Sequence, residues 1–211
     1  MSGALRFLGQ FLRRPGTVGA IAPSSRGLAR RMVEWLDWQE VRTVAEYGPG
    51  TGVFTREILS RLSPAGAFVA FEANEEIAGF WGSQFPDQRL YCGSAAKVGE
   101  ELSRLGHAQL DAVISGLPWA AFPESLQREI LDATLAVLRP GGYFATFAYL
   151  QGLLLPAGIR FRRLLKEYFA EVETSPVTWL NLPPAIVYRC RVANPVQSQP
   201  RGQGVPPTSP A

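Results

Sequence analysis

The chain has 211 residues, 46% of them hydrophobic, enough for one domain with a real core plus an appended segment or two. A single histidine, His107, excludes Ser-His-Asp, Cys-His and histidine-rich metal chemistry, and two cysteines, Cys92 and Cys190, give neither a disulfide framework nor metal-ligand spacing. The net charge is +3, but ahead of Glu34 the chain carries Arg6, Arg13, Arg14, Arg26, Arg30 and Arg31 and no acid, a basic entry that points to a polyanion, either nucleic acid or an anionic membrane surface.

Ser2 to Arg14 has helical spacing of Ala4, Leu5, Leu8, Phe11 and Leu12, with Phe7 beside them, and Pro15-Gly16 ends it. Two readings are open: a helix docked on the protein's own core, or an interfacial helix with apolar residues in a bilayer and arginines at the headgroups. Thr17 to Ser25 reads as a small-residue loop, in which Ser24 or Ser25 caps a helix over Arg26–Leu36. No apolar run reaches the roughly 18–20 residues of a spanning helix. Arginine within the first apolar stretch argues against a signal peptide, so a cytoplasmic protein that visits a membrane is expected.

Strands and helices then alternate. Strands are expected at Thr43–Tyr47, Ala67–Glu72, Arg89–Cys92, Leu110–Ser115 and Tyr143–Tyr149, with a closing pair at Glu171–Trp179 and Ala185–Val192. Helices are expected at Val53–Leu62, Glu75–Trp81, Lys97–Leu105, Pro123–Leu138 and Ile159–Phe169. This order implies a mostly parallel seven-stranded sheet covered by helices on both faces, with ligands at the carboxyl ends of the strands. Both cysteines sit in apolar runs and are expected to be buried. The tail over 194–211 is rich in proline and poor in apolar residues, and is expected to be disordered.

The rim of such a sheet gathers Glu46 to Gly52, Glu72 to Asn74, Gly93 to Ala95 and Ser115 to Trp119. Gly48, Gly50 and Gly52 stand where a strand turns into a helix, and leave backbone N–H groups open to a ligand. No Gly-Lys-Ser/Thr ending follows, so this is not a P-loop. Glu46 suits an amino group. Glu72 lies 20 positions after Gly52, the distance at which an acid receives ribose hydroxyls in a doubly wound fold. A ligand with both groups is S-adenosylmethionine, whereas NAD has no amino acid moiety for Glu46. The plain alternative is an ordinary strand-to-helix turn with solvated acids.

Glu46-Tyr47-Gly48-Pro49-Gly50-Thr51-Gly52, Glu72, Ser115-Gly116-Leu117-Pro118-Trp119 and Leu138-Arg139-Pro140-Gly141-Gly142 resemble the motifs of the Rossmann-like class I S-adenosylmethionine methyltransferases. The entry segment from Phe11 to Ser25 is similar to that of the soluble bacterial phospholipid N-methyltransferases, which convert phosphatidylethanolamine up to phosphatidylcholine. The resemblance implies an N-terminal helical membrane-binding and lid segment over 1–36, a methyltransferase domain over 37–193 and the tail. Membrane contact falls on Leu5, Phe7, Leu8, Phe11, Leu12, Arg13 and Arg14. The donor, S-adenosylmethionine released as S-adenosylhomocysteine, falls to Glu46, Gly48, Pro49, Gly50, Thr51, Gly52, Glu72, Ala73, Asn74, Ser94, Ala95, Ser115 and Leu117. Ser94 stands where many class I enzymes place an acid; it either hydrogen-bonds adenine or merely turns the chain. Partners are phosphatidylethanolamine and anionic lipids at the inner face of the cytoplasmic membrane, with no metal and no nucleic acid.

The related ribosomal RNA adenine dimethyltransferases are the alternative. They carry Asn or Asp where Gly116 stands, to orient the adenine amino group, and continue into a helical domain where this chain has its tail. For methyl transfer to an amine, catalytic roles fall on Ser115, Gly116 and Trp119. The amine must be neutral, so the proton goes to the Ser115 hydroxyl, to the Ser115 or Gly116 carbonyl, or to water. Substrate contact falls on Ser24, Ser25 and Arg26 for the lipid phosphate, and on Trp119 and Tyr149 for methylated ammonium. Phe122 and Trp179 are placed at the same rim, and core packing is the alternative for each aromatic.

Overall fold

The computed structural model describes residues 24–194. The predicted helix over Ser2–Arg14 with its membrane-contact residues, and the tail from Pro195 on, lie outside the described residues.

The chain begins with α1 (Arg26–Val33), capped by Ser25, whose hydroxyl accepts the Leu28 N–H at 3.1 Å. Four of its side chains, Leu28, Ala29, Met32 and Val33, are completely buried. The segment assigned to the N-terminal extension therefore joins the main core from Leu28 onward. Then follow β1 (Thr43–Tyr47), α2 (Val53–Leu59), β2 (Ala67–Glu72), α3 (Glu75–Gln84), β3 (Arg89–Cys92), α4 (Val98–Arg104), β4 (Leu110–Ser115), α5 (Glu124–Val137), β5 (Leu138–Tyr149), α6 (Pro156–Tyr168), β6 (Glu171–Thr174) and β7 (Ala185–Arg191).

These strands form one seven-stranded sheet in the order β3-β2-β1-β4-β5-β7-β6. The first five run parallel, and β7 runs antiparallel to both β5 and β6. Alternate side chains feed two layers, as the period of a strand requires. Ala45 and Tyr47 of β1 enter the layer under α4, α5 and α6. Val44 enters the layer under α1, α2 and α3. The winding reverses between β1 and β4, and there the carboxyl ends of the strands open a crevice. Asp111 holds the starts of these two strands together, accepting the N–H groups of Arg42 and Thr43 at 2.8 Å each.

Several sequence expectations change: α1 ends at Val33 rather than Leu36, α2 at Leu59 rather than Leu62, α3 runs on to Gln84, and α6 starts at Pro156 rather than Ile159. β6 ends at Thr174 rather than Trp179, because Pro176 follows and interrupts the ladder; an isolated bridge from Thr178 to Ala185 is what remains of the pairing. β5 starts at Leu138, and the Arg139-Pro140-Gly141-Gly142 turn loops out of its pairing with β4 as a register shift, with Gly141 at φ +70. Cys190 is buried, but Cys92 is exposed: it is the last residue of an edge strand, where one side of the ladder is open.

Candidate functional site

The crevice holds a cavity of about 550 Å³, within the range that takes a small-molecule cofactor together with part of a substrate. Gly48, Pro49, Gly50, Thr51, Glu72, Ala73, Ser94, Ala95 and Leu117 line one half. Gly48 and Gly50 adopt φ +66 and +54, the left-handed region that glycine enters freely. A Cβ on Gly50 would meet nothing within 4 Å, so this turn presents bare backbone to the cavity. Glu72, only 5% exposed, ends β2 and accepts the Asn74 N–H at 3.0 Å. Burial pushes its carboxyl pKa up, while backbone N–H groups of Asn74, Ala73 and Gly50 pull the other way. The Ser94 hydroxyl accepts the Ala96 N–H at 3.2 Å, so it turns the chain, yet it remains on the wall with a hydrogen to donate.

Four residues expected to touch the donor stand behind the wall instead. Glu46 is fully buried in the layer under α2 and α3. Its Oε2 accepts from the Thr55 hydroxyl at 2.7 Å, which in turn accepts from the Trp81 indole at 2.9 Å, while Oε1 has no partner among the described residues. Burial raises its carboxyl pKa to about 8. Gly52, at φ +76, backs onto Phe85, whose ring a Cβ there would strike. Asn74 caps α3, accepting the Glu76 and Ile77 N–H groups at 3.0 Å. Ser115 is fully buried, with its hydroxyl accepting the Trp119 indole N–H at 2.9 Å, which takes that hydroxyl off the list of proton acceptors at the wall.

Gly116 lies on the wall with Leu117, Pro118 and Trp119. Its N–H donates to the Tyr47 carbonyl at 2.7 Å, and a Cβ there would sit 2.6 Å from the Gly48 carbonyl oxygen. The glycine is thus the condition for β4 and the glycine turn to lie edge to edge, and an Asn side chain at this position would collide with backbone.

The other half of the cavity is largely apolar. Trp119 and Phe122 line it, although both are nearly buried. One face of Trp119 stacks on Phe161 at 5.2 Å, and its edge meets Phe144, so core packing claims much of this ring. Tyr149 lines the cavity from the end of β5, and Ser24 from just before α1. Ser25 is turned to its cap and donates its N–H to Asn181 at 2.8 Å, and Arg26 is exposed; neither is on the wall. Trp179 is 68% exposed on the loop between β6 and β7, away from the wall, because the strand expected to carry it stops five residues earlier. The sequence reading missed Phe54, Phe71, Ile77, Phe147, Leu155, Phe161 and Tyr188, all of which line the cavity. Only Phe147 had a signal, two residues before Tyr149 on the same face of one strand.

Among the described residues no group of three or more His, Cys, Asp or Glu side chains is placed to hold a metal ion, and no helix is long and apolar enough to cross a membrane.

No family model matches the chain. A curated relative, the ornithine lipid N-methyltransferase of Singulisphaera acidiphila, is 31% identical over 188 residues, covering 88% of this chain and 94% of its own length. The chain belongs to this lipid N-methyltransferase family. The fold agrees. An O-methyltransferase from Streptomyces achromogenes, solved with S-adenosylmethionine, superposes with a TM-score of 0.57 at 20% identity, over 92% of this chain and 91% of its own. An O-methyltransferase from Bacillus cereus, solved with S-adenosylhomocysteine, gives 0.58 at 15% identity, over 90% and 91%. This is the class I S-adenosylmethionine-dependent methyltransferase fold. The methyltransferase cavity suits that donor chemically: bare glycine backbone, one near-buried carboxylate at the end of β2, and, behind the turn, a carboxylate oxygen with no partner among the described residues.

Proposed function

We propose that this methyltransferase N-methylates the primary amine of phosphatidylethanolamine at the inner face of the cytoplasmic membrane, carrying it up to phosphatidylcholine. The observation that carries the reading is the composite cavity, whose donor half is glycine and carboxylate and whose other half is apolar. That second half reaches Leu155, which lines the cavity and is also 57% exposed. Leu154 and Ile159 beside it are 86% and 55% exposed, and Leu180 and Leu182 on the next loop are 90% and 74% exposed. Apolar side chains in water at a cavity mouth suit a bilayer more than an RNA backbone. Exposed Arg160, Arg162 and Arg163 of α6 add the charge that anionic headgroups attract. The membrane helix over Ser2–Arg14 belongs to the same proposal.

When bound, S-adenosylmethionine supplies an electrophilic methyl group. The chain's own residues do the rest by position. Glu72 would hold the ribose hydroxyls, the Gly48–Gly50 backbone the amino acid end, and Ser94 would donate to the adenine. Glu46 stays behind the turn, where its bond from the Thr55 hydroxyl braces the start of α2 under the glycine backbone. The Gly116–Trp119 turn seats the amine, with the Gly116 carbonyl as acceptor of an amine hydrogen. Ser115 acts through Trp119 by fixing its indole. Apolar walls desolvate the ammonium and favour its neutral form.

The test is transfer of label from S-adenosylmethionine to vesicles containing phosphatidylethanolamine or an ornithine lipid. Label on phosphatidylethanolamine is expected. Label only on the ornithine lipid overturns the choice of substrate, and label on neither overturns the lipid reading.

A further inference from the structure

A residue of the cavity's acceptor half carries a polar atom that is left without a partner among the described residues. Tyr149 lines the cavity, and its hydroxyl is buried with no hydrogen bond among the described residues. A buried hydroxyl left unpaired forfeits its hydrogen bond to water, so a partner that comes with the substrate would recover that loss. The ring is held in place. Tyr149 pairs with Ala185 across the sheet, its ring meets Phe147 edge to face at 5.4 Å, and the next residue, Leu150, donates its N–H to the Pro184 carbonyl at 2.9 Å.

The height of Tyr149 decides which part of the substrate it meets. Thr146 is the β5 residue in register with Ser115, the last residue of β4. Tyr149 stands three residues further out, about 10 Å along the strand. The reacting amine must lie near Gly116 and the glycine turn, at the level of Ser115. Tyr149 therefore stands level with what lies beyond the amine, toward the mouth. In an amino lipid the next polar group is an anionic oxygen: a phosphate in phosphatidylethanolamine, a carboxylate in an ornithine lipid.

An anion drawn between apolar walls needs donors. Among the described lining residues there is no lysine, arginine or histidine, and the one charged group, Glu72, is an acid in the donor half. We propose that Tyr149 donates its phenolic hydrogen to the headgroup's anionic oxygen and so selects zwitterionic lipids over plain amines, a role that rests on the lipid-amine reading above. Burial pushes the phenol pKa up, which keeps that hydrogen in place through neutral pH.

The test is Tyr149→Phe in the full chain, assayed in mixed micelles on phosphatidylethanolamine, an ornithine lipid and dodecylamine, which has the amine but no anion. A hydrogen bond to a charged group is worth about 1.5–3 kcal/mol, so the ratio of kcat/KM on an anion-bearing lipid to that on dodecylamine should fall about 10- to 100-fold. A fall with phosphatidylethanolamine alone assigns the phosphate, and a fall with the ornithine lipid alone assigns the carboxylate. Donor affinity, measured by calorimetry, should stay at the wild-type value and shows that the variant is folded. An unchanged ratio, whether both rates fall together or neither falls, overturns the proposal. A wild-type enzyme that methylates neither lipid overturns the lipid reading and this role with it, which separates the two failures.

Discussion

Glu46→Gln tests the burial of the carboxylate that the sequence places at the end of β1. The substitution keeps the shape and keeps an acceptor for the Thr55 hydroxyl, so the Trp81–Thr55 chain survives. What it removes is an ionisable group that burial holds at a pKa of about 8 against an ordinary 4.5. In the folded protein the acid stays protonated where the unfolded chain has already lost its proton. Its contribution to stability is therefore fully present below pH 4.5 and is lost as the pH rises towards 8. Each pH unit in that window is worth about 1.4 kcal/mol, and the whole window is of the order of 5 kcal/mol. Glu72 is raised too and tilts the curve the same way, but it is common to both proteins. Urea unfolding of wild type and variant at pH 5, 6, 7 and 8 isolates Glu46 as the difference. The variant's advantage should widen by about 1.4 kcal/mol per pH unit, or a gap in Tm growing by about 3–5 °C per unit for a chain of this size. Parallel stability curves over this range would refute the argument, because Glu46 would then be ionised in the folded state.

Gly116→Ala pushes a Cβ to 2.6 Å from the Gly48 carbonyl oxygen, and neither side is a flexible chain end. Overpacking of this kind costs about 1–3 kcal/mol, so Tm should fall by about 3–10 °C and the displaced glycine turn should bind S-adenosylmethionine less tightly. Unchanged Tm and unchanged affinity would show that the turn yields freely. At the surface, the double variant Leu180→Asp, Leu182→Asp replaces two highly exposed side chains. It should leave Tm within about 1 °C yet cut flotation with vesicles at least 10-fold, since each leucine contributes about 1.5–3 kcal/mol on leaving water. Deleting Met1–Arg14 should reduce flotation as well. Flotation that survives either change removes that element from the membrane face.

The alternation of apolar runs and glycine or proline breaks was enough to read the fold. Parallel strands buried on both faces must be nearly all apolar, as Val44, Val69, Val113 and Phe144 are, and the turns between them must be glycine-rich. That Gly48, Gly50 and Glu72 share one cavity was legible for the same local reason: they lie at strand ends, and the ends of a parallel sheet share one rim. What chain order could not say was on which side of the rim each side chain stands. A strand alternates, so Glu46 and Ser115, both at the right height, point into packed layers while the backbone next to them faces the cavity. The apolar half of the cavity was written least in the sequence, because it is made where distant segments meet. Phe161 of α6, Tyr188 of β7 and Leu155 become one wall only after β7 has folded back antiparallel beside β5. Local pattern fixes what is decided within one strand or turn; the burial of the Tyr149 hydroxyl, unpaired among the described residues, and the close approach of Gly116 to Gly48 exist only between strands, and tertiary packing alone decided them.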